Sequence, residues 1–465
     1  MPKVTAAAQR RRALANLLRL VGPDRALAYN FASKAISAIL QPVSLFCIAA
    51  YLSSAEQGYY YTFYSILSAN ILLELGLGVV ITHFAANEFG HLAWSAGNKI
   101  EGDPKAVERL LSLARQSFLW YSVISATAMA ALIPLGLIFL RSGSPSGEVV
   151  FTAPWVLLIL GSGFALMTVP IVALLNGCGK IAQLQALRIV QNLAGALGLI
   201  GGLLMGAKLY APAISQVLQV GCLLFWFAWT FRAFVGQCVA HRRQGRPEAI
   251  SWRREVLPMQ SRVAANWLAA YSSNHILTPV LFALRGSGEA GLLGMTRSLA
   301  EIPWNAGLPW LTTRSPRYGA LATQKRYEEL DKLARKSTLQ TLLISSAVTV
   351  AIVVAVMISG DHGISTERRI LSVWALSALC LANIAGLLNV SLAEYVRAHK
   401  VEPFVKMNLV QAGVIAILCV PVGKAAGAEG IAFLFASAVI LSVPVSVVIF
   451  RGTIRVLHGA DRHQP

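Results

Sequence analysis

The chain has 465 residues, 56% of them hydrophobic and only 13% charged, with a net charge of +19 and a pI near 10.0. Ordinary soluble domains carry about 25% charged residues, so this composition, with a mean hydropathy of +0.60, excludes a soluble enzyme. It also excludes a nucleic-acid binder, the class that a basic balance alone would suggest.

One bilayer crossing takes about 20 apolar residues, and the apolar runs supply about twelve. In chain order they lie near 26–52, 58–84, 112–140, 150–176, 184–206, 211–235, 259–283, 288–313, 337–358, 369–395, 404–422 and 428–450. The first 25 residues are basic, and a full-length span follows them instead of a short apolar core with a cleavage site. No cleaved signal peptide is therefore expected. The runs are rich in Leu, Ala and Ile and lack sustained period-two alternation, which favours helices over a membrane barrel.

With the N-terminus placed in the cytoplasm, 32 of the 40 Lys and Arg fall on the inner side. Arg141, Lys208, Arg285, Arg368, Arg369 and Lys424 fall in outer loops, and Lys34 and Arg297 fall inside spans. This asymmetry follows the positive-inside rule and predicts both termini in the cytoplasm. The cluster Arg242, Arg243, Arg246, Arg253 and Arg254 sits at the midpoint of the chain, as a linker between halves would. The expected organisation is a basic N-terminus over 1–25, an N-lobe over 26–236, a linker over 237–258, a C-lobe over 259–450 and a tail over 451–465.

The halves carry an internal repeat. "SSAEQGYYYTFYSI" (Ser53–Ile66) opens span two, and "GSGEAGLLGMTRSL" (Gly286–Leu299) opens span eight. Glu56/Glu289, Gly58/Gly291 and Ser65/Ser298 are each 233 positions apart. "LLNG" (Leu174–Gly177) and "LLNV" (Leu387–Val390) form a second pair in the same order. Six spans per half is an even number, so the halves run parallel, with a pseudo-two-fold along the membrane normal and a central cavity. Pro42 in span one and Pro279 in span seven occupy corresponding helices. They are read either as hinge points or as ordinary kinks.

The junction "YLSSAEQGYYYTFYSILSANILLELGLGVVITHFAANE", with its acidic-x-Gly turn and the deep stretch Glu74–Gly78, resembles the polysaccharide flippases. These belong to the multidrug/oligosaccharidyl-lipid/polysaccharide (MOP) exporter superfamily. "ALLNGCGKIAQLQALRIVQNL" resembles that family's turn between spans four and five. The resemblance implies an all-α polytopic membrane protein with about twelve transmembrane helices in two parallel-repeat six-helix lobes, a MATE-like architecture. It also implies flipping of a polyprenyl-diphosphate-linked oligosaccharide across a bacterial plasma membrane for surface polysaccharide or lipopolysaccharide biosynthesis. Membrane lipid and other polysaccharide-assembly proteins are the implied partners; no nucleic acid, metal or cofactor is expected. In "RSLAEIP", Arg297, Glu301 and Pro303 resemble a span-eight set of the lipid II flippases, with a spacing one residue longer.

Ionisable groups at membrane depth are costly and normally face a cavity or a partner. Lys34 and Arg297 come from different lobes, and a diphosphate suits a lysine point charge with an arginine fork. Lys34 either reaches the cavity or snorkels to the inner surface. Glu301 lies four residues from Arg297 on one helix face and can pair with it. Glu74 is a coupling site for a proton or sodium, or an interhelix contact. His275 is a packing histidine or a proton carrier. Tyr59, Tyr60, Tyr61 and Tyr64 are expected in an interfacial aromatic belt, with sugar stacking as the other role. "GALGLIGG" (Gly195–Gly202) is expected to pack helices closely, and the six cysteines to act as small apolar residues.

Two other functions fit such a chain. A cation-coupled multidrug exporter of the same fold would carry a more acidic, aromatic pocket. A polytopic glycan polymerase or ligase would be expected to need a sizeable outer domain with acid/base residues, which the short outer loops do not provide.

Overall fold

The computed structural model describes residues 25–74, 76–95, 97–141, 149–241, 252, 260, 275–361, 369–399 and 401–462. The basic N-terminus, the linker arginines Arg242, Arg243, Arg246, Arg253 and Arg254, and most of span seven lie outside them. The first half holds α1 (Arg25–Tyr51), α2 (Ser54–Leu67), α3 (Asn70–Glu74), α4 (Leu77–Phe89), α5 (Pro104–Arg141), α6 (Thr152–Gly177), α7 (Ile181–Leu204), α8 (Ala211–Thr230) and α9 (Arg232–His241). The second half holds α10 (Leu277–Arg285), α11 (Ser287–Gly307), α12 (Pro309–Thr312), α13 (Ser315–Thr323), α14 (Tyr327–Asp361), α15 (Val373–Arg397) and α16 (Val405–Arg462).

These helices follow the expected spans closely, and the chain is a multi-pass membrane protein. Among the described residues, eight helices are long and apolar enough to cross a membrane, or nine when the bent pair Ser54–Glu74 and Leu77–Phe89 counts as one. The remaining expected spans have physical explanations. Helix α16 holds two spans, divided at Gly427, whose φ of 60° is non-helical. Helix α11 spans the expected eighth position, but Glu289, Arg297 and Glu301 lower its hydropathy. Span seven falls mostly outside the described residues.

Within the first half, α1 packs on α7, α7 on α8, and α6 on α4, α5 and α8. Small residues set the closest of these approaches. A methyl group on Gly195 would lie 2.4 Å from the Gln219 side chain, and one on Gly198 2.9 Å from the Ser215 backbone. The span-five glycine run is therefore a helix-packing surface, as the sequence predicts. Polar groups add specificity: Asn192 Nδ2 donates to Ser37 Oγ at 2.8 Å and Ser33 Oγ at 3.1 Å, tying α7 to α1. In the second half, α11 packs on α14 and α15, and α15 on α16. All six cysteines are free, and four are buried.

One element lacks a counterpart in the sequence reading. Leu92–Trp94 and Ile100–Gly102 form an antiparallel hairpin in the first half. Trp94 Nε1 donates to Cys178 O at 2.8 Å, Asn98 Nδ2 to Thr230 O at 3.0 Å, and the Gln237 amide bonds both backbone groups of Ile100. Lys180 lies 4.8 Å from the Trp94 ring centre and donates to Asn98 Oδ1. Burial pulls the Lys180 ammonium below the ordinary lysine range and pushes the Cys178 thiol up to about 12. The hairpin thus fastens the C-terminal ends of α6 and α8 and helix α9 to one another.

Candidate functional site

The repeat motifs build the N-terminal ends of α2 and α11, and there the halves meet. Ser53 and Glu56 cap α2 reciprocally: Glu56 N–H donates to Ser53 Oγ at 3.2 Å, and Ser53 N–H to Glu56 Oε2 at 2.8 Å. The other Glu56 oxygen pairs with Lys208 Nζ at 2.8 Å, in the turn between α7 and α8. Glu289, its repeat partner, accepts from Ala428 N–H at 2.9 Å, in the turn that divides α16. Each half thus uses its motif carboxylate to hold a turn between two of its own helices.

The motif glycines let the two helices touch. A Cβ on Gly58 would lie 1.8 Å from Ser287 O, and one on Gly291 would lie 2.9 Å from Gly58 N. Tyr61 lies against Gly294 and donates to Met295 Sδ at 3.0 Å. Tyr59 donates to Leu140 O at 3.1 Å and meets the Phe282 ring edge-on at 5.2 Å. Arg369 donates to Leu52 O and, at 3.3 Å, to Gln57 Oε1. Tyr59, Tyr60 and Tyr61 are buried, which overturns their expected place in an aromatic belt. Gly294 on the facing helix leaves room for the Tyr61 ring, and Tyr59 packs among the rings of Phe63, Phe151 and Phe282. Tyr64 alone of the four is exposed.

Farther along, polar side chains join α1 to α11. Gln41 Nε2 donates to Ser298 O at 3.3 Å, and Asn305 Nδ2 donates to Gln41 Oε1 at 3.1 Å. Ser298, Glu301 and Asn305 share one stripe of α11, and Glu301 is exposed on it. Lys34 lies seven residues before Gln41, hence on the same face and about 10 Å farther from the closure; it is exposed. Arg297 is half-buried, with its guanidinium 5.2 Å from the Phe435 ring centre. Electrostatic interactions link it to Glu301 and His275. The structure therefore gathers Arg297, Glu301 and His275 on one wall and sets Lys34 on the other half.

Glu74 stands apart from this group. It ends α3 where span two breaks, and Tyr121 of α5 donates to its Oε1 at 3.2 Å. Gly76, with φ 72°, starts α4, and the two helical pieces meet at 44°. Asn70 Nδ2 donates to Ser162 Oγ at 2.6 Å beside the break. Pro42 sits inside the continuous helix α1, and Pro279 in the first turn of α10. Sequence reasoning missed Gln41, Gln57, Tyr121, Asn305 and Arg369. Gln57 stands inside the quoted motif; the others are single polar residues without a pattern.

No protein-family model matches the sequence, and comparison with curated proteins gives no match. Solved structures do match over nearly the whole chain. An inward-facing multidrug resistance MATE family transporter of the MOP superfamily superposes with a TM-score of 0.65 at 14% identity, over 92% of this chain and 99% of that one. The fold is that of the MOP superfamily transporters. An outward-facing MATE family transporter gives 0.60 at 14% identity over 94% and 96%. The lipid II flippase MurJ, in an inward closed conformation, gives 0.63 at 12% identity over 93% and 91%. The two-lobed MATE-like architecture thus holds, and in this chain the halves meet through the N-terminal ends of α2 and α11.

Proposed function

We propose that the protein flips a polyprenyl-diphosphate-linked oligosaccharide from the cytoplasmic to the outer leaflet of a bacterial plasma membrane, by alternating access. The placement of Lys34 and Arg297 on different halves carries this reading. Cations at membrane depth are expensive unless they meet an anion or line a watery space. A diphosphate between the halves satisfies both, with the glycan in the cavity and the lipid tail in the bilayer. Glu301 serves as the resting partner of Arg297 and yields it to the substrate. The charge asymmetry of the loops supports an orientation with the closed face outside and the cavity open toward the cytoplasm, where such a substrate is made.

Deletion in the native host tests the proposal through the cytoplasmic pool of polyprenyl-linked glycan. Accumulation with loss of surface polysaccharide is expected; intact polysaccharide and no accumulation overturn it. A cation-coupled multidrug exporter is the second reading, and the Glu74–Tyr121 pair at the break of span two favours it. Drug hypersensitivity of the same deletion strain, without glycan accumulation, would select it.

A further inference from the structure

We propose that Arg369 is a latch, a side chain of the second half that caps α1 of the first half and biases the outer face toward closure. Helix α1 ends at Tyr51, and Leu52, whose N–H still bonds Ile48 O at 3.1 Å, closes its last turn. The carbonyls of such a helix end have no intrahelical donor and carry partial negative charge, which a cation offsets. Arg369 supplies that cation from a point 317 positions away, donating to Leu52 O. The same Nη1 donates to Gln57 Oε1 at 3.3 Å, and Gln57 Nε2 returns a longer bond, 3.5 Å, to Arg369 O. Leu52 and Gln57 are both 1% exposed, so water has little access to these bonds while the face is closed.

Separation of α1 and α2 from the second half breaks all three bonds together. Water can then take over the carbonyl, the amide and the guanidinium, so the contact is reversible, unlike the buried ring packing beside it. Its contribution therefore falls on the balance between closed and open outer faces rather than on folding of either half. The inference depends on the halves parting at that face and not on which cargo is carried.

Ser287, 7% exposed and packed on Gly58, reports the state of the closure. The measurement is the labelling rate of Ser287→Cys, in protein whose six native cysteines are replaced, by a membrane-impermeant maleimide on right-side-out vesicles. Arg369→Ala should raise the rate about tenfold, as expected for loss of a hydrogen bond to a charged group. Gln57→Ala should raise it less, and Arg369→Lys should fall between Arg369→Ala and the parent. Tyr318→Cys, buried at the inner side of the second half, should stay equally unreactive in permeabilised vesicles of every variant. An unchanged rate at Ser287→Cys overturns the latch, and so does a parallel rise at Tyr318→Cys, which signals general loosening. If Arg369→Ala fails to reach the membrane, Gln57→Ala and Arg369→Lys carry the test by the same criterion.

Discussion

Gly58 and Gly291 meet backbone to backbone, so two copies of one motif, 233 positions apart, close on each other. The contact lies where α2 and α11 cross, and a side chain on either residue enters the partner backbone. Gly58→Ala should therefore wedge the outer ends apart, because the added carbon would lie 1.8 Å from Ser287 O. Spin labels on the exposed residues Met205 and Lys424, one in each half, measure the separation. A longer distance in Gly58→Ala than in the parent is expected, together with lost transport at normal membrane abundance. An unchanged distance would mean that the glycine contact does not control the closure.

Glu56 has two jobs that mutation can separate. Its capping-box bond to the Ser53 N–H is worth about 0.3–1.5 kcal/mol, whereas its ion pair involves Lys208, which is 62% exposed and so contributes less through solvent screening. Glu56→Ala should lower the apparent melting temperature in detergent by several degrees, and Lys208→Ala by about a third of that or less. Equal losses would show the ion pair to be the larger part. The turn at Lys208, with φ 48°, offers a reason for a milder effect: Lys208→Gly relieves an unfavourable backbone conformation while deleting the charge.

The spans were legible because burial in lipid imposes long apolar runs, and the charge asymmetry of the loops comes from the same physics. The repeat was legible because Glu56/Glu289 and Gly58/Gly291 serve matching structural ends, a turn anchor and a close approach. The tyrosines were misplaced because aromatic residues near a span end are common at interfaces. Only Gly294 on the facing helix shows that the Tyr61 ring fits between the halves. The hairpin at Leu92–Gly102 is too short for periodicity to reveal. Arg369 was counted as an ordinary outer-loop charge, since its partners Leu52 O and Gln57 lie far away in sequence and one of them is a backbone group.

Glu74 offers a test of energy coupling. The carboxylate is held by Tyr121 at the break of span two, where freed backbone at membrane depth needs polar company. If it carries a proton or sodium, Glu74→Gln should abolish the response of transport to an imposed ion gradient while keeping the hydrogen bond from Tyr121. Tyr121→Phe should leave the response in place with a changed ion dependence. Uptake in proteoliposomes under imposed proton and sodium gradients separates the two. A full response in Glu74→Gln assigns the residue to interhelix bonding alone.

The cations on the facing walls give the sharpest test of cargo chemistry. Truncating a desolvated, paired charge costs on the order of 2–5 kcal/mol, so Arg297→Ala should lower complementation about a hundredfold or more. Arg297→Lys should recover only part of it, because a lysine lacks the planar fork that matches two phosphate oxygens. Lys34 is exposed and has no side-chain bond among the described residues, so Lys34→Ala should cost less and Lys34→Arg little. Phe435→Leu removes the ring beside the Arg297 guanidinium and keeps the charge, which separates loss of cation–π support from loss of the cation. Surface polysaccharide, scored against membrane abundance of each variant, supplies the readout. Normal polysaccharide in Arg297→Ala removes the arginine from diphosphate recognition. Loss in Glu301→Gln with recovery in Arg297→Ala/Glu301→Gln would show instead that the pair matters only by neutralising itself.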